Sequence, residues 1–467
     1  MGNRGAAQGG LNRHTGLRMW AFNIKRKSMG FASMRHFVPA LHRITGAFLV
    51  ALLASPGAQA QEPVRKLRPD GPNAQALGQA QGYPSCIQAL QQASCRVGTW
   101  SGGQVPQARQ LVQPAAQPWP LPDHTEPPPI RWRWGFLSQT VDDYMEATQT
   151  TGLLILKDGQ VVAERYQYDR QPGMPMRSFS MAKTFTAMLI GIAHDKGLIR
   201  SLDDRAADYW PEIAASAYGQ TTIRNLLRMA SGVPFKELYT WTPDDDNWVW
   251  GMLLYHPRNA NQPGRIEEFL NARTGRDAEQ GQRFHYASIE TEILGRVLRR
   301  ASGQTIARLT QDWLWQPMGA ENQAHWQVST TDGSEGVAGS FNASLRDYGR
   351  FGMLLANDGR RDDQAIIPRE FLLDATDPQR QPAAFKPRVA TPFMGYGYQT
   401  WLLPYKTRTF ALQGIHGQTV YVQPASKIVM VQTAVHTAPS GRQDPRPYQF
   451  RQALWEGVLK SLGGYVD

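Results

Sequence analysis

A hydroxyl and an amine three residues apart, Ser180 and Lys183 in the stretch RSFSMAKTFTAML (177–189), form the one Ser-x-x-Lys pairing in 467 residues. A serine attacks an amide or ester carbonyl only when a base removes its proton, and an amine can do so once burial has lowered its pKa. The surroundings supply that burial. In MAKTFTAMLIGIAHDKGLI the residues Met181, Phe185, Met188, Leu189 and Ile192 recur at helical spacing, while Ala182, Ala187, Ile190 and Ala193 make the other faces nearly as apolar. The pattern predicts a buried helix that starts at Ser180 and stops at Gly197. It sets Lys183 one turn from the hydroxyl and leaves the N–H groups of the first turn open to a developing oxyanion. The plainer alternative is an N-cap serine followed by a lysine that surfaces.

Two further segments could complete this chemistry. In FHYASIETEILGRVLRRASGQ (284–304), Ile289, Ile293, Leu294, Val297 and Leu298 mark an amphipathic helix closed by Gly303. Ser288 is placed to cap its start, with Tyr286 just outside in a loop. That phenol either relays a proton with Lys183 or simply packs at the start of the helix. FALQGIHGQTVYVQPASKIVMVQTAVH (410–436) reads as two antiparallel strands around Pro424–Lys427. Gly417 inside the first would allow a close approach, and His416 beside it is either a site residue or an ordinary strand histidine. The segment 235–259, FKELYTWTPDDDNWVWGMLLYHPRN, combines aromatics with acids and reads as a loop over the site. Its Asp244, Asp245 and Asp246 lack the spacing of a cation loop and read as a solvated acidic turn.

Positioning these groups requires a scaffold. GLLILKDGQVVAERYQY (152–168) is two β-type runs joined by Asp158-Gly159, a hairpin signal. SQTVDDYMEATQ (138–149) reads as a helix, as does RPYQFRQALWEGVLKSL near the C-terminus. A hydrophobic fraction of 41% over this length supports a large core. Of the formal charge of +11, eight units belong to residues 1–60, which hold no Asp or Glu, so the remainder carries only +3. The chain therefore does not read as a nucleic-acid binder.

The leader reads as a targeting segment. Arg35, His36 and Arg43 precede the apolar run 44–54, which is short for a bilayer span and leads to Ala58-Gln59-Ala60. We expect a secretory signal cleaved after Ala60, with a single anchor helix as the alternative, and hence a periplasmic or secreted protein without a stable membrane anchor. Residues 61–130 are a Pro/Gln-rich extended arm holding both cysteines, Cys86 and Cys95. In an oxidising compartment these form a local disulfide; two free thiols are the alternative. Residues 131–467 are the catalytic domain. No cofactor and no metal site is expected.

The order and spacing of Ser180-x-x-Lys183, Tyr286-x-Ser288 and Ile415-His416-Gly417 resemble the serine β-lactamase and penicillin-binding superfamily. The Tyr-centred box is similar to the class C branch, which also holds esterases, D-amino-acid peptidases and 6-aminohexanoate-dimer hydrolases. RSLDDRAADYWPE, TTIRNLLRMASGVPF and GSFNASLRDYGRFGMLLANDG are similar to stretches of that branch, so the resemblance covers about 135–460. It implies an α+β fold of the sandwich type, an antiparallel sheet flanked by helices beside a mostly helical region from about 181 to 390, with Ser180 at the seam. It also implies an acyl-enzyme on Ser180, proton transfer by Lys183 and Tyr286, and an oxyanion held by the backbone N–H groups of Ser180 and Gln418. Substrate would be met by Tyr239, Ser288, Ile415, His416 and Gly417.

Two departures bear on substrate. Ser288 stands where class C enzymes usually carry Asn, and Ile415 stands where they carry the Lys of Lys-Thr-Gly, a cation for the carboxylate of penicillins and D-alanyl peptides. Both disfavour β-lactam and D-alanyl-peptide hydrolysis and favour an amide or ester in a less specifically anionic small molecule. A binding protein of the same fold that has lost catalysis is the rival from another class.

Overall fold

The computed structural model describes residues 63–467 apart from 88, 103–107 and 263. The leader and its cleavage site lie outside the described residues. Asp158 and Gly159 both take positive φ, 49° and 82°, the geometry that matches a two-residue turn to the twist of its strands. Thr150–Lys157 accordingly pairs antiparallel with Gln160–Tyr166, Lys157 opposite Gln160. This hairpin belongs to an eight-stranded sheet. Its order is Arg65–Leu67, Gln160–Tyr166, Thr150–Lys157, Ile428–Ala434, Gln418–Gln423, Phe410–Gly414, Trp401–Leu402 and Gly395–Tyr396. The arm strand Arg65–Leu67 pairs parallel, and every other pairing is antiparallel.

Helices cover both faces, so the central strands are buried continuously along their length. On one face Leu153, Ile155 and Met430 pack with Leu454, Trp455 and Val458 of the Arg446–Ser461 helix. On the other, Leu154, Leu156, Val429 and Val431 share a core with the Leu345–Ala356 helix and the Ala182–Asp195 helix. A Cβ at Gly349 or Gly352 would come within 2.6 Å of Leu154 or Val429, so glycine is what lets the Leu345–Ala356 helix lie so close to the sheet. The fold is α+β, with an antiparallel-rich sheet between helices and a largely helical region between the hairpin and the C-terminal strands.

Four local expectations need correction. Residues 410–423 are two strands that reverse at Ile415–Gly417, with Gly414 opposite Gln418, because His416 (φ 61°) and Gly417 (φ 99°) both turn the chain left-handed. The helical region also holds a four-stranded sheet, Arg109–Val112, Ala324–Gln327, Phe341–Ala343 and Met176–Arg177, whose two- to four-residue strands are too short to show a period in sequence. Within 235–259, Asp246–Tyr255 is a helix, capped by an Asp245 that is fully buried instead of solvated. Its carboxylate accepts the N–H groups of Leu238, Thr240 and Asn247. Finally, the helix Ser288–Ser302 is capped by Ala287, and Ser288 is its first turn.

Candidate active site

The strand Met176–Arg177 leads through a tight turn, Phe179–Met181, into the Ala182–Asp195 helix. Phe179 has φ 45°, an uncommon value for a residue with a side chain. Lys183 Nζ lies 2.9 Å from Ser180 Oγ and 2.8 Å from the carbonyl of Ala338, to which it donates. The lysine is 1% exposed. Burial lowers its pKa to about 8, against a partial upward pull from Glu237 and Glu292. In the neutral amine the 2.9 Å contact runs the other way, with the hydroxyl donating to nitrogen, as a base needs.

Tyr286 closes the other side of this pair. Lys183 Nζ is 5.2 Å from the centre of its ring, which stacks on Trp401 at 5.6 Å and meets Tyr396 edge-on. Burial, then Glu237, raises its pKa, while contact with the Ser180 side chain lowers it in part. Tyr286 is therefore a neutral phenol near neutrality, not a phenolate, and Lys183 is the group suited to accept the first proton.

Ser180, Arg177, Glu237, Tyr239, Ser288 and Ile415 are among the residues that line one cavity of about 290 Å³. Glu237 organises its wall. Its carboxylate accepts the Ser288 N–H at 2.7 Å, the Ser288 hydroxyl at 2.8 Å and the Tyr239 hydroxyl at 2.7 Å. Ser288 thus faces the site, but its hydroxyl is already engaged. Glu292, one turn along the same helix, accepts the Ala338 N–H at 2.9 Å and so holds the peptide segment whose carbonyl holds Lys183. Neither Glu237 nor Glu292 was singled out from sequence; the only signal was their spacing, two residues before Tyr239 and four after Ser288. Because Glu237 raises the Lys183 pKa, Glu237→Gln should move the acid limb of a kcat/KM–pH profile to lower pH, and a limb shifted upward would contradict this placement.

The run 415–418 divides. Ile415 lines the cavity with Ser180, and a Cβ on Gly414 would lie 2.4 Å from the Ser178 carbonyl, so the strand end approaches the Phe179–Met181 turn as closely as glycine permits. His416, Gly417 and Gln418 are committed elsewhere. His416 Nδ1 lies 2.8 Å from the His436 carbonyl, Gly417 abuts the His436 ring, and the Gln418 amide is bound both ways to Ala434. Of the run expected at the substrate, His416 and Gly417 leave the cavity because the chain reverses there, while the bonds to Ala434 engage the side chain of Gln418 and not its backbone N–H. Burial lowers His416 to about 4 and His436 to about 3, so both are neutral at pH 7. Unfolded histidines titrate near 6.5, so the unfolded state gains protons first as pH falls. Stability should be intact above about pH 6.5 and fall by a few kcal/mol towards pH 5. A melting temperature unchanged between pH 7 and 5 would refute this.

The Beta-lactamase family profile matches residues 137–453 of this geometry. The chain belongs to that family. A curated relative, the 6-aminohexanoate-dimer hydrolase of Paenarthrobacter ureafaciens, is 23% identical over 329 residues, 70% of this chain and 81% of the relative. Among solved structures, one from Bacillus anthracis assigned to the 6-aminohexanoate-dimer hydrolases superposes with a TM-score of 0.66 at 22% identity, covering 76% of this chain and 91% of that one. EstCE1, a hydrolase with promiscuous acyltransferase activity, superposes with a TM-score of 0.53 at 15% identity over 67% and 96% of the two chains. At these identities the structural likeness establishes the fold.

This member of the beta-lactamase family carries a cation on the wall of its cavity. Arg177, three residues before Ser180, lines the cavity, donates to the Gly339 carbonyl at 3.3 Å and lies 4.8 Å over the Phe179 ring. Among the described residues it makes no salt bridge. Sequence reading passed it over because a lone Arg carries no spacing signal.

Proposed function

We propose that this hydrolase of the beta-lactamase fold is an exported serine enzyme that cleaves an amide or ester bond of a small molecule through an acyl-enzyme on Ser180. The observation that carries the reading is the buried Lys183 amine, its pKa lowered to about 8, 2.9 Å from the Ser180 hydroxyl. Neutral Lys183 takes the hydroxyl proton as Ser180 attacks. The tetrahedral oxygen is held by backbone N–H groups of Ser180 and, in place of Gln418, Ile415. As the intermediate collapses, the Tyr286 phenol protonates the leaving amine or alcohol and recovers a proton from the lysine ammonium. Water then repeats the course and frees the acid.

The aromatic wall formed by Tyr239, Trp241, Trp248 and Trp250 suits an apolar acyl or leaving group. The relative named a 6-aminohexanoate-dimer hydrolase supports a small-molecule amide within that substrate class. Arg177 favours one second reading, a carboxylate-bearing substrate such as a β-lactam or D-alanyl peptide. Labelling with a fluorophosphonate probe, followed by p-nitrophenyl esters, linear amides and nitrocefin, tests these readings. Labelling lost in Ser180→Ala with turnover of esters or amides supports the first, and preference for nitrocefin supports the second. No labelling of the native protein would leave a binding protein.

Export rests on the leader's composition and on the Cys86–Cys95 bond, which joins two residues 5.7 Å apart at Cα. N-terminal sequencing of periplasmic material should begin at Gln61, with no free thiol detected without reductant. Cytoplasmic protein with two titratable thiols would reject it.

A further inference from the structure

Residues N-terminal to the family's match at 137–453 also reach the catalytic cavity. The Cys86–Cys95 bond closes a short loop. The Thr99 hydroxyl fastens it, accepting the Cys86 N–H at 3.0 Å and donating to the Cys86 carbonyl at 3.1 Å. Leu90, on that loop, lines the cavity that holds Ser180, and its carbonyl accepts from Arg96 at 3.2 Å. The helix Arg96–Trp100 follows. Ser101 then bridges to Met176, and the Gly102 N–H donates to the Pro175 carbonyl at 2.7 Å, tying the arm to the strand that runs into the nucleophile turn.

Trp100 sits between the two backbone segments that matter most. Its ring meets Phe179 edge-on at 5.1 Å and lies 4.5 Å from the ring of His416. Phe179 (φ 45°) precedes Ser180, and His416 (φ 61°) follows Ile415. A left-handed residue with a side chain costs about 1–3 kcal/mol and persists only where its neighbours over-determine it. Here one buried indole packs on both. The relative placement of these two turns decides whether the N–H groups of Ser180 and Ile415 converge on one oxygen.

We propose that the arm is a working part of the active site: Trp100 is a positioning residue that clamps the nucleophile turn to the Gly414–Gly417 reversal, and the disulfide-closed loop sets one wall of the substrate cavity through Leu90. The catalytic half of this inference rests on the hydrolase reading above. The clamp itself does not.

The test uses the full chain with Trp100→Ala, Trp100→Phe and Leu90→Ala, two esters (p-nitrophenyl acetate and p-nitrophenyl octanoate) and hydrogen–deuterium exchange. Trp100→Ala should lower kcat on both esters by about 10- to 100-fold with KM little changed, since a small misplacement of the donors costs that much. Exchange should quicken in peptides spanning 177–181 and 412–418, and Trp100→Phe should recover most of both effects. Leu90→Ala should change KM for octanoate by about threefold or more, and by more than it changes KM for acetate. Unchanged kcat and unchanged exchange in folded Trp100→Ala would overturn the clamp, and an unchanged octanoate KM in Leu90→Ala would overturn the wall. If Trp100→Ala does not fold, Trp100→Leu replaces it, and normal kcat and exchange in that variant would equally overturn the clamp. A native protein that hydrolyses neither ester would reject the hydrolase reading, while the exchange measurement would still decide the clamp.

Discussion

Ser180→Ala should reduce turnover of any ester or amide substrate by about four decades or more, because removing the nucleophile of a unit that acts in concert leaves only binding and oxyanion stabilisation. Mass spectrometry of substrate-quenched native enzyme should find the acyl adduct on Ser180. Ser178 is the competing hydroxyl two residues away, but it is fully buried and its Oγ donates to the Phe179 carbonyl at 2.9 Å. An adduct on Ser178, or turnover in Ser180→Ala near the native level, would reject the mechanism. Circular dichroism of the variant should match the native protein, since the Ser180 hydroxyl holds no part of the core.

Lys183→Ala and Tyr286→Phe should each lower kcat by about two to four decades, and the double variant should be little worse than the poorer single one. The non-additivity follows from geometry. The lysine contacts the serine oxygen and the tyrosine ring stands against the lysine, and in the proposed mechanism one proton passes through both. Titration separates their roles. With Lys183 lowered to about 8 by burial, activity should rise with pH and level off above about 8 as the amine loses its proton. Tyr286 is shifted upward by burial, so the phenol stays protonated across that range and should add no alkaline loss near neutrality. A kcat for Tyr286→Phe close to native would show that the ring only packs against Trp401 and Tyr396.

Much of this was legible in sequence because it is local. Ser180 and Lys183 are one helical turn apart, the apolar positions around them predict burial, and burial fixes the direction of the lysine's pKa. Asp158-Gly159 carries its turn geometry in its residue types, and Gly303 marks a helix end for the same reason. Periodicity identified the long strands and the Ala182–Asp195 and Ser288–Ser302 helices, while the fold class came from the resemblance of the three motifs and their order to a known family. Periodicity failed where strands are two to four residues long, and at 415–418, where two left-handed residues turn what reads as one strand into two. Glu237 and Glu292 were not legible because their importance comes from what faces them: an N–H at Ser288, hydroxyls at Ser288 and Tyr239, and the Ala338 peptide that supports Lys183.

By itself the sequence determined the Ser180–Lys183 pairing, its burial and the central hairpin, since each depends on residue types within a turn or two of one another. Tertiary structure alone decided the rest. It brought Tyr286 to within 5.2 Å of the lysine amine across 103 positions of chain, withdrew His416, Gly417 and Gln418 into the sheet, left Ile415 in the cavity, and set Arg177 and Leu90 on its wall. Those outcomes depend on how strands register and how buried surfaces meet over long separations, and no periodicity along the chain encodes them.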